Sequence, residues 1–137
     1  EGKMGTIVTV FTEKAPTPLV HYSQAVRARG LIHVSGQLPI PQSGRPDNQT
    51  ESFEDQAARV LRNFLAILDA AGASPADVVK LTAYVVGASN WPRFNQTFAD
   101  AFGDHRPARS VVPVPELHHG YLIEIDGIAL DPEARDP

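Results

Sequence analysis

The 137-residue sequence contains no cysteine. Without a thiol the chain can form no disulfide, thiolate metal site, iron–sulfur cluster or cysteine nucleophile. Its strongly apolar stretches are all shorter than about ten residues, which excludes a membrane-spanning helix and an apolar signal-peptide core. The chain also has no excess of positive charge, since its formal net charge is −4. We therefore expect a cytoplasmic protein with no membrane partner and no nucleic-acid partner.

The composition that remains is typical of one globular domain, with 42% hydrophobic and 20% charged residues. A chain of this length buries enough surface to fold without a disulfide or a metal. Residues 1–5 are interpreted as an N-terminal extension. The tail at 131–137 holds two prolines among polar residues and is expected to be loose.

The hydrophobic periodicity predicts the order β-β-β-α-β-α-β-β. Alternating β-branched residues predict strands at 7–11, 23–28, 31–38, 78–86, 110–114 and 121–130, and three- and four-residue spacing predicts helices at 53–71 and 91–102. Gly30 provides a hairpin turn after the second strand, and a turn-rich loop follows at 39–49. We expect an α+β fold in which one sheet carries both helices on a single face.

Each predicted helix has a distinct apolar side. In the first helix, Ser52 is the expected N-cap, Gly72 ends the helix, and the solvent-facing side holds Arg59, Arg62, Asn63 and Asp69. In the second, Asn90 is the expected cap and Pro92 fits the first turn. Its buried side is predicted to hold Trp91, Phe94, Phe98 and Phe102.

The last strand has too many apolar residues for a sheet with one wet face. Tyr121, Ile123, Ile125, Gly127 and Ala129 alternate with a second set, Leu122, Glu124, Asp126, Ile128 and Leu130. In the strand at 78–86, we place Val79 with Leu81 on the core side and Val78 on the other side. Two apolar faces indicate a homo-oligomer; the alternative is a one-residue error in the assigned register.

Two charged residues stand out as candidates for chemistry. Arg109 lies at the entry to a strand, and Glu124 lies inside an aliphatic one, where a carboxylate needs a partner. From these residues alone, a structural salt bridge between them or an interface ion pair is the favoured explanation, and a binding site is the alternative. His118 and His119 are adjacent and are better explained as turn residues than as metal ligands.

Seven short motifs occur in an order that resembles a known family. They are Tyr-Ser-Gln-Ala-Val (22–26), Val-Ser-Gly-Gln-Leu-Pro (34–39), Ala-Ala-Gly-Ala (70–73), Asp-Val-Val-Lys (77–80), Phe-Asn (94–95), Arg-Pro-Ala-Arg-Ser (106–110) and Ile-Glu-Ile-Asp (123–126). The chain resembles the RidA (YjgF) family over residues 6–130, interpreted as a single domain. The resemblance implies a chorismate-mutase-like fold and a homotrimer with a central barrel and clefts between subunits.

The resemblance also implies a function and a site. Members of the family hydrolyse small enamines and imines of the 2-aminoacrylate type to 2-keto acids and ammonia, and the reaction uses no cofactor and no metal. The implied catalytic residues are Arg109, which would hold the substrate carboxylate, and Glu124, which would position the attacking water. The implied substrate-binding residues are Tyr22, Gly36, Asn95 and Val111, the last through its backbone amide.

Departures from the family pattern and competing functions keep the substrate open. Val20 and His21 replace a common Gly-Pro, and Val111 stands where a cysteine is common. A turn with two histidines, 117–121, precedes the last strand. The first alternative function is a regulatory trimer that binds small carboxylates without turnover. The second is an endoribonuclease or translation inhibitor, which the acidic composition opposes.

Overall fold

The computed structural model describes residues 5–47 and 51–134. Within them, six strands and two α-helices follow one another in the order predicted from the sequence. The strands are β1 (Val8–Val10), β2 (Ala25–Ala28), β3 (Leu31–Gln37), β4 (Val78–Val86), β5 (Ala108–Val114) and β6 (Ile123–Leu130), and the helices are α1 (Phe53–Ala70) and α2 (Trp91–Phe102). Residues 1–4 of the predicted extension at 1–5, residues 48–49 of the predicted loop and residues 135–137 of the predicted tail at 131–137 lie outside the described residues.

All six strands form one mixed sheet in the order β1-β2-β3-β6-β4-β5. Only β4 and β5 run parallel to each other; the other neighbours are antiparallel. The last strand of the chain, β6, therefore lies at the centre of the sheet, while β1 and β5 form its two edges. Both helices pack on one face, which confirms the predicted two-layer α+β fold.

We call the side under the helices the covered face and the other side the open face. On β6, Ile123, Ile125 and Ala129 are fully buried on the covered face, whereas Glu124 and Asp126 are half-buried on the open face. This is the predicted alternation. The register of β6 was therefore correct, and the apolar residues on its second side belong to an uncovered sheet face.

The register prediction was wrong at the start of β4. Val78 is buried and Val79 is 43% exposed, the reverse of the expected arrangement. The cause is an irregularity in the pairing with β6, where Val78 pairs with Ala129 and Lys80 with Ile128. The extra residue in β4 shifts the alternation by one position.

Helix α1 begins and ends as expected, but its outer side is less exposed than predicted. The Ser52 hydroxyl accepts a hydrogen bond from the Asp55 amide at 3.1 Å, and Gly72 follows the helix with a φ of +85°. Asn63 is buried, because its side-chain amide donates to the carbonyl oxygens of Leu38 and Ile40. This amide fixes the turn that leaves β3.

The predicted cap and the first aromatic residue of α2 both differ in the structure. Asn90 is part of a 3₁₀ turn, and its side chain donates to the Val86 carbonyl at 2.9 Å instead of capping the helix. Trp91 is 48% exposed, whereas Phe94 and Phe98 are buried as predicted. A short turn precedes α2, so the first residue of the helix stands clear of the core.

The start of the predicted loose tail makes several contacts. Asp131 is buried, and its carboxylate accepts a hydrogen bond from Arg27 at 2.6 Å. The same guanidinium donates to the Ala71 carbonyl at 3.1 Å, which ties the end of β6 to the end of α1. A 3₁₀ turn at Pro132–Ala134 follows. No helix in the described ranges is long and apolar enough to span a membrane.

Candidate active site

Glu124 lies in the middle of the open face, between strands β3 and β4. Tyr84 is its cross-strand partner on β4. On the other side, its carboxyl group lies directly over Gly36, so close that a Cβ atom built on Gly36 would overlap Oε2 and lie 3.3 Å from Cδ of Glu124. Gly36 therefore leaves the space that the Glu124 carboxyl group occupies.

Tyr22 is brought to the same place by the segment that precedes β2. Gln24 is buried, and its amide donates to the backbone carbonyls of Thr12 and Pro16, which fixes the loop in front of Tyr22. Ser35 on β3 donates from its hydroxyl to the Ser23 carbonyl at 2.6 Å. These bonds hold Tyr22 beside β3, on the side where Glu124 lies.

The surroundings of Glu124, chiefly its burial, favour the neutral carboxyl form more than water would. Burial raises the pKa of Glu124; the positive charge of His118 lowers it, and the negative charge of Asp126 raises it further. Burial and the charge of Glu124 also raise the pKa of Tyr22. The Glu124 carboxyl group therefore takes up a proton at a higher pH than an ordinary glutamate, a property suited to proton transfer.

A second titrating pair, Tyr84 and Asp126, lies next to Glu124 on the open face. The negative charge of Asp126, burial and the charge of Glu124 raise the pKa of Tyr84. Burial raises the pKa of Asp126, while the Tyr84 hydroxyl and the charge of Lys80 lower it. Tyr84 was not among the predicted site residues, since its position opposite Glu124 depends on a strand pairing that the sequence does not show.

Arg109 lies on the other side of the sheet, at the covered face of the edge strand β5. Its guanidinium carbon lies 4.9 Å from the ring centroid of Phe98 and 5.7 Å from that of Phe94, both on α2. Cation–π attraction holds the group against these rings. Among residues 5–47 and 51–134, no carboxylate forms an ion pair with Arg109 and no acceptor hydrogen-bonds to it. Its N–H donors are therefore available to an anion.

Val111 lies on the same side of β5 as Arg109, whereas Asn95 lies on helix α2. The Val111 side chain is half-buried and packs against the core, two residues after Arg109 on the same side of β5. Asn95 is exposed on α2, next to Phe94. Phe94 and Phe98 were predicted only as core residues, and their second role as a platform for Arg109 was missed, because aromatic residues at helical spacing are also typical of packing.

The predicted site residues thus form two groups, which we call half-sites. The Glu124 half-site consists of Tyr22, Gly36 and Glu124, and the Arg109 half-site consists of Arg109 and Val111; Asn95 lies exposed on the neighbouring helix α2. The register places Leu81 next to Arg109 on the covered face and Tyr84 next to Glu124 on the open face. Within one chain the sheet separates the two half-sites, so one small ligand cannot touch both Arg109 and Glu124.

Two other features of the described residues do not add to the site. No three of their His, Asp and Glu side chains come together in a group that would hold a metal ion. A groove of about 740 Å³ lies on the outer side of α1, lined in part by Lys14, Arg62 and Leu65. It contains no residue of either half-site, and its volume alone identifies no chemistry.

Comparison with known proteins gives one consistent result. The family model described as Endoribonuclease L-PSP matches residues 12–131. A RutC family protein from Pyrococcus horikoshii is 41% identical over 121 residues, covering 88% of this chain and 94% of the relative. Reactive Intermediate Deaminase A, chloroplastic, from Arabidopsis thaliana is also 41% identical over 121 residues, covering 88% of this chain and 64% of that protein.

A solved crystal structure also shares the fold of this chain. The crystal structure of E. coli TdcF with bound serine superimposes with a TM-score of 0.82 at 32% identity, covering 89% of this chain and 97% of that chain. All residues of the two half-sites lie within the range that the family model matches. The chain therefore belongs to the RidA family, whose family model is named Endoribonuclease L-PSP.

Proposed function

We propose that this protein hydrolyses small enamines and imines of 2-amino acids to the 2-keto acid and ammonia, in clefts formed between two copies of the chain. The observation that carries the proposal is the complementary pair of half-sites. One offers a cation with no acid partner among the described residues, and the other offers a carboxyl group with a raised pKa. The 41% identity to a protein named Reactive Intermediate Deaminase A supports the reaction class.

Arg109 is suited to hold the substrate carboxylate. A guanidinium group presents two parallel N–H donors that match the two oxygens of a carboxylate, and the Phe98 ring keeps this planar group in one orientation. The serine bound in the TdcF structure is itself a small carboxylate. Holding the carboxylate fixes the neighbouring imine carbon in one place relative to the cleft.

Glu124 is suited to handle the protons of the hydrolysis. With the imine protonated on nitrogen, the Glu124 carboxylate takes one proton from water as the water oxygen bonds to the imine carbon. The electron pair of the C=N bond moves to the nitrogen, which becomes a neutral amine. The protonated Glu124 then gives the proton back to the leaving nitrogen. As the C–N bond breaks and ammonia leaves, the hydroxyl group formed from water gives its proton to the Glu124 carboxylate and becomes the keto oxygen. The released ammonia takes up that proton as ammonium. Water and imine are consumed, and no other reactant is needed.

The two-chain cleft follows from the position of the half-sites in the sheet. The open face carries partly exposed apolar residues, among them Val79, Val112 and Leu130. Such a face is typical of a surface covered by another chain. If a neighbouring copy covers the open face of one chain with its β5 edge, its Arg109 approaches the first chain's Glu124. In a closed ring of three copies, each of the three clefts would pair Arg109 of one copy with Glu124 of its neighbour.

The test is a coupled assay in which an amino-acid oxidase or dehydratase supplies the imine and release of the keto acid is followed. We expect Arg109→Ala and Glu124→Gln each to lower the rate gain by about 100-fold or more. Arg109→Lys, which keeps the charge but loses the two-pronged geometry, should recover only part of the loss. Full activity of either Arg109→Ala or Glu124→Gln would show that the assigned site is wrong.

Mixing the two inactive variants tests the shared cleft. In trimers assembled from equal amounts of both, about a quarter of the clefts combine an intact Arg109 with an intact Glu124, because each partner is intact half of the time. We expect about that fraction of the activity to return. If no activity returns although mixed trimers form, the two residues do not act across a subunit boundary.

The alternative functions give different results in the same experiments. A regulatory protein would bind keto acids in calorimetry, lose this binding in Arg109→Ala, and add nothing to the coupled rate. An endoribonuclease, the activity named in the family model, would cleave RNA after repeated purification and would lose cleavage with Glu124→Gln. Arg109 lies on two phenylalanine rings in a chain of net charge −4, an arrangement suited to one small anion rather than a polyanion.

A further inference from the structure

An irregularity in strand β3 lies directly beneath the Glu124 carboxyl group. Val34 pairs with Gly127 of β6, and Gln37 pairs with Ile125, so three steps along β3 match two steps along β6. One extra residue is therefore accommodated in β3, as in a β-bulge. Such bulges re-aim backbone and side chains locally and are frequent beside active sites.

Side-chain hydrogen bonds hold this bulge in one conformation. The Gln37 side-chain amide donates to the Ser35 carbonyl at 3.1 Å, within the bulge. The Ser35 amide donates to the Gln24 carbonyl at 3.0 Å, and the Ser35 hydroxyl donates to the Ser23 carbonyl at 2.6 Å. Bonds on both sides of Gly36 thus fix the backbone against which Glu124 rests.

The backbone conformation does not require glycine at position 36. Seven glycines of the described chain have a positive φ, but Gly36 is not among them. An alanine would adopt the same backbone without strain. What it would meet is the Glu124 side chain, since its Cβ would overlap Oε2 and lie 3.3 Å from Cδ and 3.7 Å from Cγ. The reason for glycine is therefore space on the open face.

We propose that Gly36 is a positioning residue that acts through Glu124: its missing side chain creates the recess in which the Glu124 carboxyl group lies. The proposal assigns Gly36 a task in the ligand-free protein, before any substrate approaches the backbone. It also links the β3 bulge to the acid–base group, because the bulge brings the glycine under that group. It rests on the proposed function only for its effect on activity.

The predicted effect of Gly36→Ala is local. The atom that must move is the end of a flexible side chain, so the fold tolerates the new methyl group while the Glu124 carboxyl group swings out of the recess. We expect kcat/KM for imine hydrolysis to fall by about 10- to 100-fold, with little change in the thermal unfolding midpoint. An unfolded or strongly destabilised Gly36→Ala protein would overturn the proposal.

A double-mutant cycle separates positioning of Glu124 from direct contact with substrate. Glu124→Asp is one methylene shorter, so its carboxyl carbon lies near the present Cγ position, 3.7 Å from the methyl group that Gly36→Ala adds, which is an ordinary van der Waals contact. In the Glu124→Asp background we expect Gly36→Ala to change kcat/KM by less than about threefold. Equal losses in both backgrounds would mean that the methyl group obstructs the substrate rather than Glu124, and would overturn the proposal.

A measurement without substrate makes the two proposals separable. The titration of the Glu124 carboxyl carbon is followed by NMR in the ligand-free protein, with Glu124→Gln to assign the signal. Because burial is the main cause of the raised pKa, Gly36→Ala should move this pKa downward as the carboxyl group enters water. An unchanged pKa would overturn the positioning role. Full hydrolytic activity of Glu124→Gln would overturn the proposed function alone.

Discussion

The two faces of the sheet use the same strands for different purposes, and two glycines show the difference. On the covered face, a Cβ atom on Gly127 would come within 2.8 Å of the Lys80 carbonyl and of the Phe64 ring. On the open face, a Cβ atom on Gly36 would meet only the carboxyl end of Glu124. One glycine makes room for the core and the other for a titrating group.

Burial follows the same division. Phe64, Leu81 and Ile125 on the covered side are completely buried, and the half-buried Arg109 lies at the β5 edge of this face. The open face mixes aliphatic residues with Glu124 and Asp126, whose pKa values burial raises. The covered face therefore determines whether the chain folds and holds Arg109 at its β5 edge, whereas the open face carries the titrating groups around Glu124 and is the proposed surface for a second chain.

The largest loss of stability is expected when Phe64, whose ring lies against Gly127 on the covered face, is replaced. Phe64→Ala removes a completely buried ring under β6, and we expect a loss of about 3–5 kcal/mol in the free energy of unfolding. Denaturant unfolding measures it. Tyr84→Phe, at the neighbouring position on the open face, removes one hydroxyl and is the matched control. A loss of similar size in both variants would contradict the division between the faces.

Gly127→Ala should have the next largest effect. The added methyl group meets backbone and a packed ring, neither of which can move away, so we expect a destabilisation of about 1–3 kcal/mol. The free energy of unfolding of Gly127→Ala and Gly36→Ala can be compared side by side. If Gly36→Ala is the less stable of the two, the open face is more tightly constrained than the structure indicates.

The sequence predicted the covered face better than the open one, for a physical reason. Apolar periodicity identifies residues that meet a core, and it placed α1, the buried side of β6 and most strand positions correctly. It failed at Val78 and Val79, where an irregular pairing shifts the alternation, and at Trp91, where a preceding turn lifts the helix start from the core. Such shifts depend on partners distant in sequence.

The candidate site was predicted residue by residue, but not its division into two halves. The motifs at 106–110 and 123–126 identified Arg109 and Glu124 through the family resemblance. That they lie on opposite faces follows from the pairing register on β4, where Arg109 pairs with Leu81 and Glu124 with Tyr84, three positions further along the strand; no local pattern encodes this register. The contact between Gly36 and Glu124 likewise depends on the bulge in β3.

A charge placed on the open face should disturb assembly rather than folding. Val112 is 37% exposed on β5, beside Tyr84 in the register. We expect Val112→Asp to shift the protein to a smaller species in sedimentation experiments, while its own unfolding free energy changes by only about 0.5 kcal/mol. Lost activity together with lost assembly would fit the two-chain cleft. An unchanged assembly would mean that the open face is not the contact surface.

The smallest expected effect is a shift in the pH dependence of activity when a charged residue near Glu124 is replaced. The base form of Glu124 is lost as the pH falls through its raised pKa, so activity should fall on the acid side at a higher pH than for an ordinary glutamate. The positive charge of His118 lowers this pKa and the charge of Asp126 raises it. His118→Asn should therefore move the acid limb of kcat/KM to higher pH, and Asp126→Asn should move it to lower pH.

Neighbouring variants and salt make this test specific. His119 precedes Gly120 in the same turn, and its ring lies edge-on to Tyr121, 6.3 Å between centroids, so His119→Asn should leave the acid limb where it is. Asparagine suits the positive φ of 63° at that position, which keeps the turn intact. His118 is exposed, so high salt should screen its charge and shrink the His118→Asn effect. If His119→Asn and His118→Asn move the limb equally, the turn acts through its shape, and the open face does not tune Glu124 by charge.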